Sequence, residues 1–196
     1  MPKLSKINNL LLIAIVLINS YLIVAPLYPK AYLWWQIHVN HQQQKLEKVI
    51  KSGKPSKTKP VEVARTGEWI IIPKIALDTQ IYEGPNISTA NKGVWHRPKS
   101  SSPDQGSNTV LVGHRFTYTQ PKGIFYNLDK LTVGDPLALF WNGKEYSYKI
   151  SDIKVVPPED VDIESATNSD RLTIYTCTPL WSAKNRLVIT AERSQL

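Results

Sequence analysis

Two textures divide the chain. From Ile7 to Leu27 the sequence runs INNLLLIAIVLINSYLIVAPL, uncharged throughout and mostly aliphatic. At roughly 1.5 Å per helical residue this stretch reaches about 30 Å, the thickness of a bilayer's hydrocarbon core. The pattern predicts a transmembrane anchor over residues 7–27. A cleaved signal peptide fits less well, because the stretch is longer than the usual apolar core of such peptides and no A-x-A box follows it. Lys3 and Lys6 place residues 1–6 in the cytoplasm by the positive-inside tendency, which Lys30 weakens, and the rest of the chain then faces outward. Tyr28, Tyr32, Trp34 and Trp35 follow at once, as expected of aromatic side chains resting at headgroup level.

Residues 28–65 show no sustained apolar face. They carry Gly53, Pro55, Pro60 and many lysines, which predicts a basic spacer, helical at most near its start. From residue 66 onward the texture becomes short β-branched and aromatic runs broken by Pro, Gly, Asn and Asp, the pattern of a mostly antiparallel β domain over 66–196. Strands are expected at 69–72, 80–82, 109–113, 137–141, 145–155, 171–177 and 186–192. Tyr146, Tyr148 and Ile150 alternate with Glu145, Ser147 and Lys149, so one face of that strand is apolar and the other wet. Asn142-Gly143 predicts a type I′ hairpin. Short helical turns are expected near 88–92 and 125–130. Seven short strands suggest a closed or nearly closed barrel.

Charge sharpens this division. The net +8 of the 196 residues resembles a nucleic-acid footprint until the charges are located. Residues 1–65 hold ten Lys/Arg and two acids, which leaves fourteen of each for residues 66–196. The β domain is neutral, and no electrostatic case for nucleic-acid binding remains. The single cysteine, Cys177, excludes an intramolecular disulfide and a cysteine metal cluster, and leaves the thiol as a candidate nucleophile. No cofactor is expected.

Three charged or titratable residues fall at ends of predicted strands: His114 after NTVLVG, Cys177 after RLTIYT, and Arg186 opening RLVITAE. A thiol is a weak nucleophile at neutral pH, and a nearby imidazolium or guanidinium favours the thiolate that attacks a carbonyl carbon. His114 would return a proton to the departing amine. Arg186 would supply positive charge to the tetrahedral intermediate's oxygen. Each residue also has a structural alternative: a space-filling thiol, a satisfied strand-end histidine, an arginine in a surface ion pair. His96, in GVWHRP, is the reserve candidate for the base.

These segments resemble the sortases over roughly residues 69–192. Thr173-Ile174-Tyr175-Thr176-Cys177 is similar to the family's TLxTC signature with Ile174 in place of Leu, and Thr178-Pro179 gives the TCTP extension of several classes, a pattern of class D or E type. Val112-Gly113-His114-Arg115 resembles the catalytic-histidine segment and Asn185-Arg186-Leu187-Val188 the arginine strand. Ile72-Pro73-Lys74-Ile75 and Ile81-Tyr82-Glu83-Gly84 are similar to the opening strands.

The resemblance implies a mainly β fold, an eight-stranded barrel behind one N-terminal membrane helix. It implies a cysteine transpeptidase that cuts secreted proteins at an LPxTG-like sorting signal between Thr and Gly. The thioester formed on Cys177 then passes to a peptidoglycan or pilin amine. By position, Cys177 is the nucleophile, His114 the acid/base and Arg186 the oxyanion stabiliser, with Thr176 lining the substrate groove. No hydrophobic span follows Glu192, which favours a housekeeping or single-substrate role over pilus polymerisation. The stretch from Tyr82 to His114 has only Glu83 and Asp104 as acids, so no calcium site is expected. Two other readings compete: another wall-active cysteine peptidase or L,D-transpeptidase, whose His-Gly-Cys motif is missing, and a non-catalytic wall-associated β-barrel scaffold. The loops 100–105 and 181–184 are candidate lids.

Overall fold

The alternating runs form eight strands: β1 (Glu68–Ile72), β2 (Leu77–Tyr82), β3 (Val94–His96), β4 (Asn108–Val112), β5 (Pro136–Trp141), β6 (Lys144–Val156), β7 (Arg171–Thr178) and β8 (Asn185–Arg193). The computed structural model describes residues 2–39, 67–119 and 122–194. The chain falls into two units, Met1–Asn40 and His41–Leu196.

In the second unit the strands close into a barrel in the order β1-β2-β3-β4-β7-β8-β6-β5. Closure pairs every strand on both sides and so removes the exposed edges of an open sheet. Most neighbours are antiparallel, but β2–β3 and β4–β7 are parallel. The strand β3 was not expected: it has three residues, too few for alternation to show. The predicted hairpin forms between β5 and β6, with positive φ at both Asn142 (49°) and Gly143 (71°), as a type I′ turn requires. Short 3-10 turns occupy Ile87–Asn91 and Leu128–Lys130, close to the expected helical turns.

The barrel interior is filled by inward-facing residues of successive strands. They include Ile70 and Ile72 of β1, Leu111 of β4, Leu137 and Leu139 of β5, Tyr148 of β6, Leu172 and Ile174 of β7, and Ile189 of β8. Phe125 and Leu128 from the β4–β5 connection join the same core. A second, small cluster of Ala90, Trp95 and Val112, with Tyr175 against it, lies on the other side of β3, β4 and β7. This arrangement follows from the period of two. On β7, Leu172, Ile174 and Thr176 are buried in alternation, which turns Tyr175 and Cys177 the other way, onto the face that carries the small cluster.

In the first unit, α1 spans Pro2–Val39, longer at both ends than the 7–27 segment of the sequence reading. Residues 28–39, the start of the predicted spacer, are therefore helix, and residues 40–65 of it lie outside the described residues. Side chains 8–24 are all exposed. Among the described residues, whose continuous run of side chains in α1 is 8–24, no helix is long and apolar enough to cross a membrane.

Candidate active site

The chain order of β4, β7 and β8 in the barrel brings the three candidates together. On adjacent antiparallel strands, Cys177 of β7 stands directly opposite Arg186 of β8. Side chains of directly opposed residues share one face, with Cβ atoms about 5 Å apart. On the other side of β7 runs β4, in parallel, with Val112 beside Tyr175. Two residues on, the chain leaves β4 at His114. Cys177, His114 and Arg186 consequently line one groove of ≈ 510 Å³, together with Thr176, Trp95 and Arg97.

Two arginines face this groove, and their partners distinguish them. Arg97 binds Glu164 in a fork, with Nε donating to Oε1 at 2.9 Å and Nη2 to Oε2 at 2.8 Å. Its guanidinium also lies 5.0 Å over the Trp95 ring. The Tyr175 hydroxyl donates to the same Glu164, and burial, reinforced by that carboxylate, pushes its phenol well above the ordinary tyrosine range. The charge of Arg97 is thus already compensated. Arg186 instead donates from Nη1 to the carbonyls of Ala183 (3.2 Å) and Asn185 (3.1 Å) in the β7–β8 connection, and among the described residues no carboxylate pairs with it. Its positive charge remains available to an oxyanion in a partly desolvated groove, where such a charge is worth more than in water.

His114 Nε2 donates to Asn91 Oδ1 at 3.0 Å, from the 87–91 turn. A carbonyl-type oxygen carries no hydrogen, so the proton sits on Nε2 and the neutral ring keeps Nδ1 as its basic nitrogen. Burial holds the imidazole's pKa below the ordinary 6.5. The consequence for stability has a definite sign. Because the folded pKa is the lower one, the unfolded chain takes up this proton first. The contribution of His114 is complete above about pH 6.5 and is lost as pH falls from there through the depressed folded value. The melting temperature of the wild-type chain is expected to drop more between pH 7.5 and 5.5 than that of His114→Gln. Parallel declines would show that the ring is not desolvated in the folded state.

The backbone around His114 is held from three directions. Thr176 is 1% exposed, and its hydroxyl donates to the Gly113 carbonyl at 2.8 Å. Thr176 lines the groove and also ties β7 to the segment entering His114. Beyond the histidine, the connection folds back on itself: Phe125 N donates to the His114 carbonyl and Gly123 N to the Arg115 carbonyl, each at 3.0 Å. Arg115, 6% exposed, reaches Thr178 Oγ1 (2.9 Å) and Asp129 (2.7 Å), clamping the His114 segment to the strand end that carries Cys177. Thr178–Pro179 is a cis peptide bond.

His96, the reserve base, is not at this site. On β3 its Nδ1 pairs with Glu83 at 2.6 Å and its Nε2 with the Ser101 carbonyl at 2.9 Å, and its ring packs edge-on against Trp141. Both ring nitrogens are spent on structure. Of the two candidate lids, the 100–105 turn is tied down by Ser101 N to the Asn108 carbonyl and Ser100 Oγ to the Arg97 carbonyl. In the other, Trp181 packs against Phe116 with ring centroids 4.2 Å apart and the ring planes tilted by 53°. Sequence reasoning missed Asn91, Arg115, Arg97 and Glu164. Of these only Arg115, adjacent to His114, had any signal. Among the described residues, no group of three His, Cys, Asp or Glu could hold a metal ion.

Residues 70–194 match the family model described as Sortase domain. Sortase D of Bacillus subtilis is 31% identical over 136 residues, covering 67% of this chain and 66% of that protein, so the match spans just under two thirds of the relative's length. Among solved structures, a Clostridium perfringens Sortase D5 transpeptidase aligns with a TM-score of 0.59 and 25% identity, covering 78% of this chain and 98% of that one. Sortase C of Clostridium perfringens, solved with the C-terminal cell wall sorting motif, aligns with a TM-score of 0.59 and 28% identity over 79% of this chain and 86% of that one. With a β-barrel of the same build and a family match over most of its length, the chain belongs to the sortase family.

Proposed function

We propose that the chain is a membrane-anchored cysteine transpeptidase in which Cys177 is the nucleophile, His114 the acid/base and Arg186 the oxyanion stabiliser. The observation that carries this reading is the groove in which Cys177 faces an arginine with no carboxylate partner while His114 lines the same wall. The Cys177 thiolate attacks the carbonyl carbon of the threonine in an LPxTG-like signal. Negative charge develops on the carbonyl oxygen, where Arg186 neutralises it, and His114 in its imidazolium form protonates the departing glycine nitrogen. A thioester remains on Sγ. An amine of a peptidoglycan precursor or pilin then attacks it, gives its proton to His114 and expels the thiolate. The proton returns to where it began, so the cycle needs no cofactor. Burial of His114 disfavours its imidazolium form.

The test is intact-protein mass spectrometry on the full chain in detergent, incubated with LPxTG and LAxTG peptides and an amine. An acyl adduct on Cys177 that transfers to the amine is the expected result, and the motif that forms it names the signal. A folded chain that acquires no adduct from any peptide would favour a scaffold.

The anchor is part of the same proposal. It rests on the 21 uncharged residues of 7–27 lying within α1, on Lys3 and Lys6 before them and on the exposure of the described side chains 8–24. Residues 1–6 then lie in the cytoplasm and the barrel outside the cell membrane. Alkaline carbonate washing should leave the chain in the membrane pellet. Release into the supernatant would remove the anchor from the model of function.

A further inference from the structure

A second cavity, of ≈ 370 Å³, opens on the far side of His114, and Asn91, Lys92, Lys122 and Gly123 line it. His114 is the one residue that both cavities share. The second cavity has no acidic lining residue, and among the described residues neither lysine has an ion-pair partner. In a domain whose charges balance overall, two uncompensated ammonium groups beside the acid/base form a local bias, not an average property.

We propose that this second groove receives the acceptor amine and selects amines that carry a carboxylate within reach of Lys92 and Lys122. The inference rests on the transpeptidase reading above and assigns its second substrate. An acceptor must bring its nitrogen to His114 while the acyl chain still fills the first groove, and the second groove shares His114 but no other lining residue with the first. Two ammonium groups repel a simple cationic amine. They attract one whose charge is balanced by a carboxylate and so raise its local concentration. In the step itself the acceptor nitrogen bonds to the thioester carbon, the carbon–sulfur bond breaks, the electron pair stays on Sγ of Cys177, and the amine proton passes to His114.

The experiment uses the full chain in detergent, acylated by the sorting peptide established above. It compares Nα-acetyl-lysine with Nα-acetyl-lysinamide, which share the reacting ε-amine and differ in the carboxylate. The readout is the ratio of acceptor kcat/KM values, normalised to each variant's own rate of acylation. The wild type should favour the acid by roughly tenfold at low salt, the combined effect of two exposed charge contacts. The preference should shrink at 0.5 M salt and reverse in the Lys92→Glu, Lys122→Glu double variant. Equal use of both acceptors by the wild type, or an unchanged preference in a folded double variant, overturns the proposal while leaving the transpeptidase reading intact. Absence of any acyl adduct on the wild type overturns both.

Discussion

Cys177→Ala should form no acyl adduct and should lose turnover by about four to six orders of magnitude, the scale seen when a covalent nucleophile is removed. The fold should be unaffected. Cys177 is only half-buried and lies outside both buried apolar clusters, so its replacement by alanine leaves no cavity in the core. Melting temperature measured beside the adduct assay separates lost chemistry from lost structure. A scaffold would behave differently, because its cysteine would be a packing residue and binding of wall material would survive the change. Arg186→Ala serves as a companion. It should still permit slow acylation, since the thiolate and His114 persist, but with a lowered kcat/KM from the missing oxyanion charge. Turnover retained by Cys177→Ala would sink the whole mechanism, whereas retention by Arg186→Ala would sink only the role of the arginine.

How much of this was legible beforehand differs between elements. The longer strands announced themselves because one face is buried, and the alternation of Tyr146, Tyr148 and Ile150 with Glu145 and Lys149 survives in the observed β6, whereas Ser147, expected on the wet face, is buried. The hairpin at Asn142-Gly143 was legible because positive φ at two successive positions restricts the residue choice. By contrast, β3 has three residues, all buried, so it shows no alternation, and its partners lie on β2 and β4. Parallel pairing of β4 with β7 joins residues some 60 positions apart, which no local pattern encodes. The helix also continues through Pro26 and Pro29 to Val39, well past the end of the apolar run that defined the 7–27 segment.

The candidate site divides in the same way. Cys177, His114 and Arg186 were visible as strand-end residues with reactive side chains, but their convergence depends on strand order. The fork from Arg97 to Glu164 spans 67 residues and the Asn91–His114 contact spans 23, so neither leaves a trace in spacing. Their effect is nonetheless specific. One compensates the second arginine in the groove, which leaves Arg186 as the available cation, and the other sets the tautomer of the histidine.

Gly123→Ala should impair the enzyme nearly as clearly as a change in the groove, although residue 123 carries no reactive group. A Cβ built at Gly123 would lie 2.2 Å from the His114 carbonyl oxygen, 2.6 Å from the His114 carbonyl carbon and 2.9 Å from that of Arg115. All three are backbone atoms, so no side-chain rotation relieves the clash. The two segments must separate, and the hydrogen bonds Gly123 N to Arg115 O and Phe125 N to His114 O hold them together. Separation by about 1 Å moves the acid/base relative to Cys177, and misplacement on that scale costs on the order of a hundredfold in rate. Loss of one or both hydrogen bonds and the strain itself should destabilise the domain by about 2–3 kcal/mol. Gly106→Ala is the informative control. Its φ of 73° disfavours alanine, but nothing lies within 4 Å of the added Cβ, so the cost should be only about 1 kcal/mol, with normal turnover. Measured together, the pair separates a general loss of glycine from displacement of the histidine. If Gly123→Ala instead matched Gly106→Ala in both stability and turnover, the connection after β4 could not be what fixes His114, and the clamp would have to reside in Thr176 and Arg115 alone.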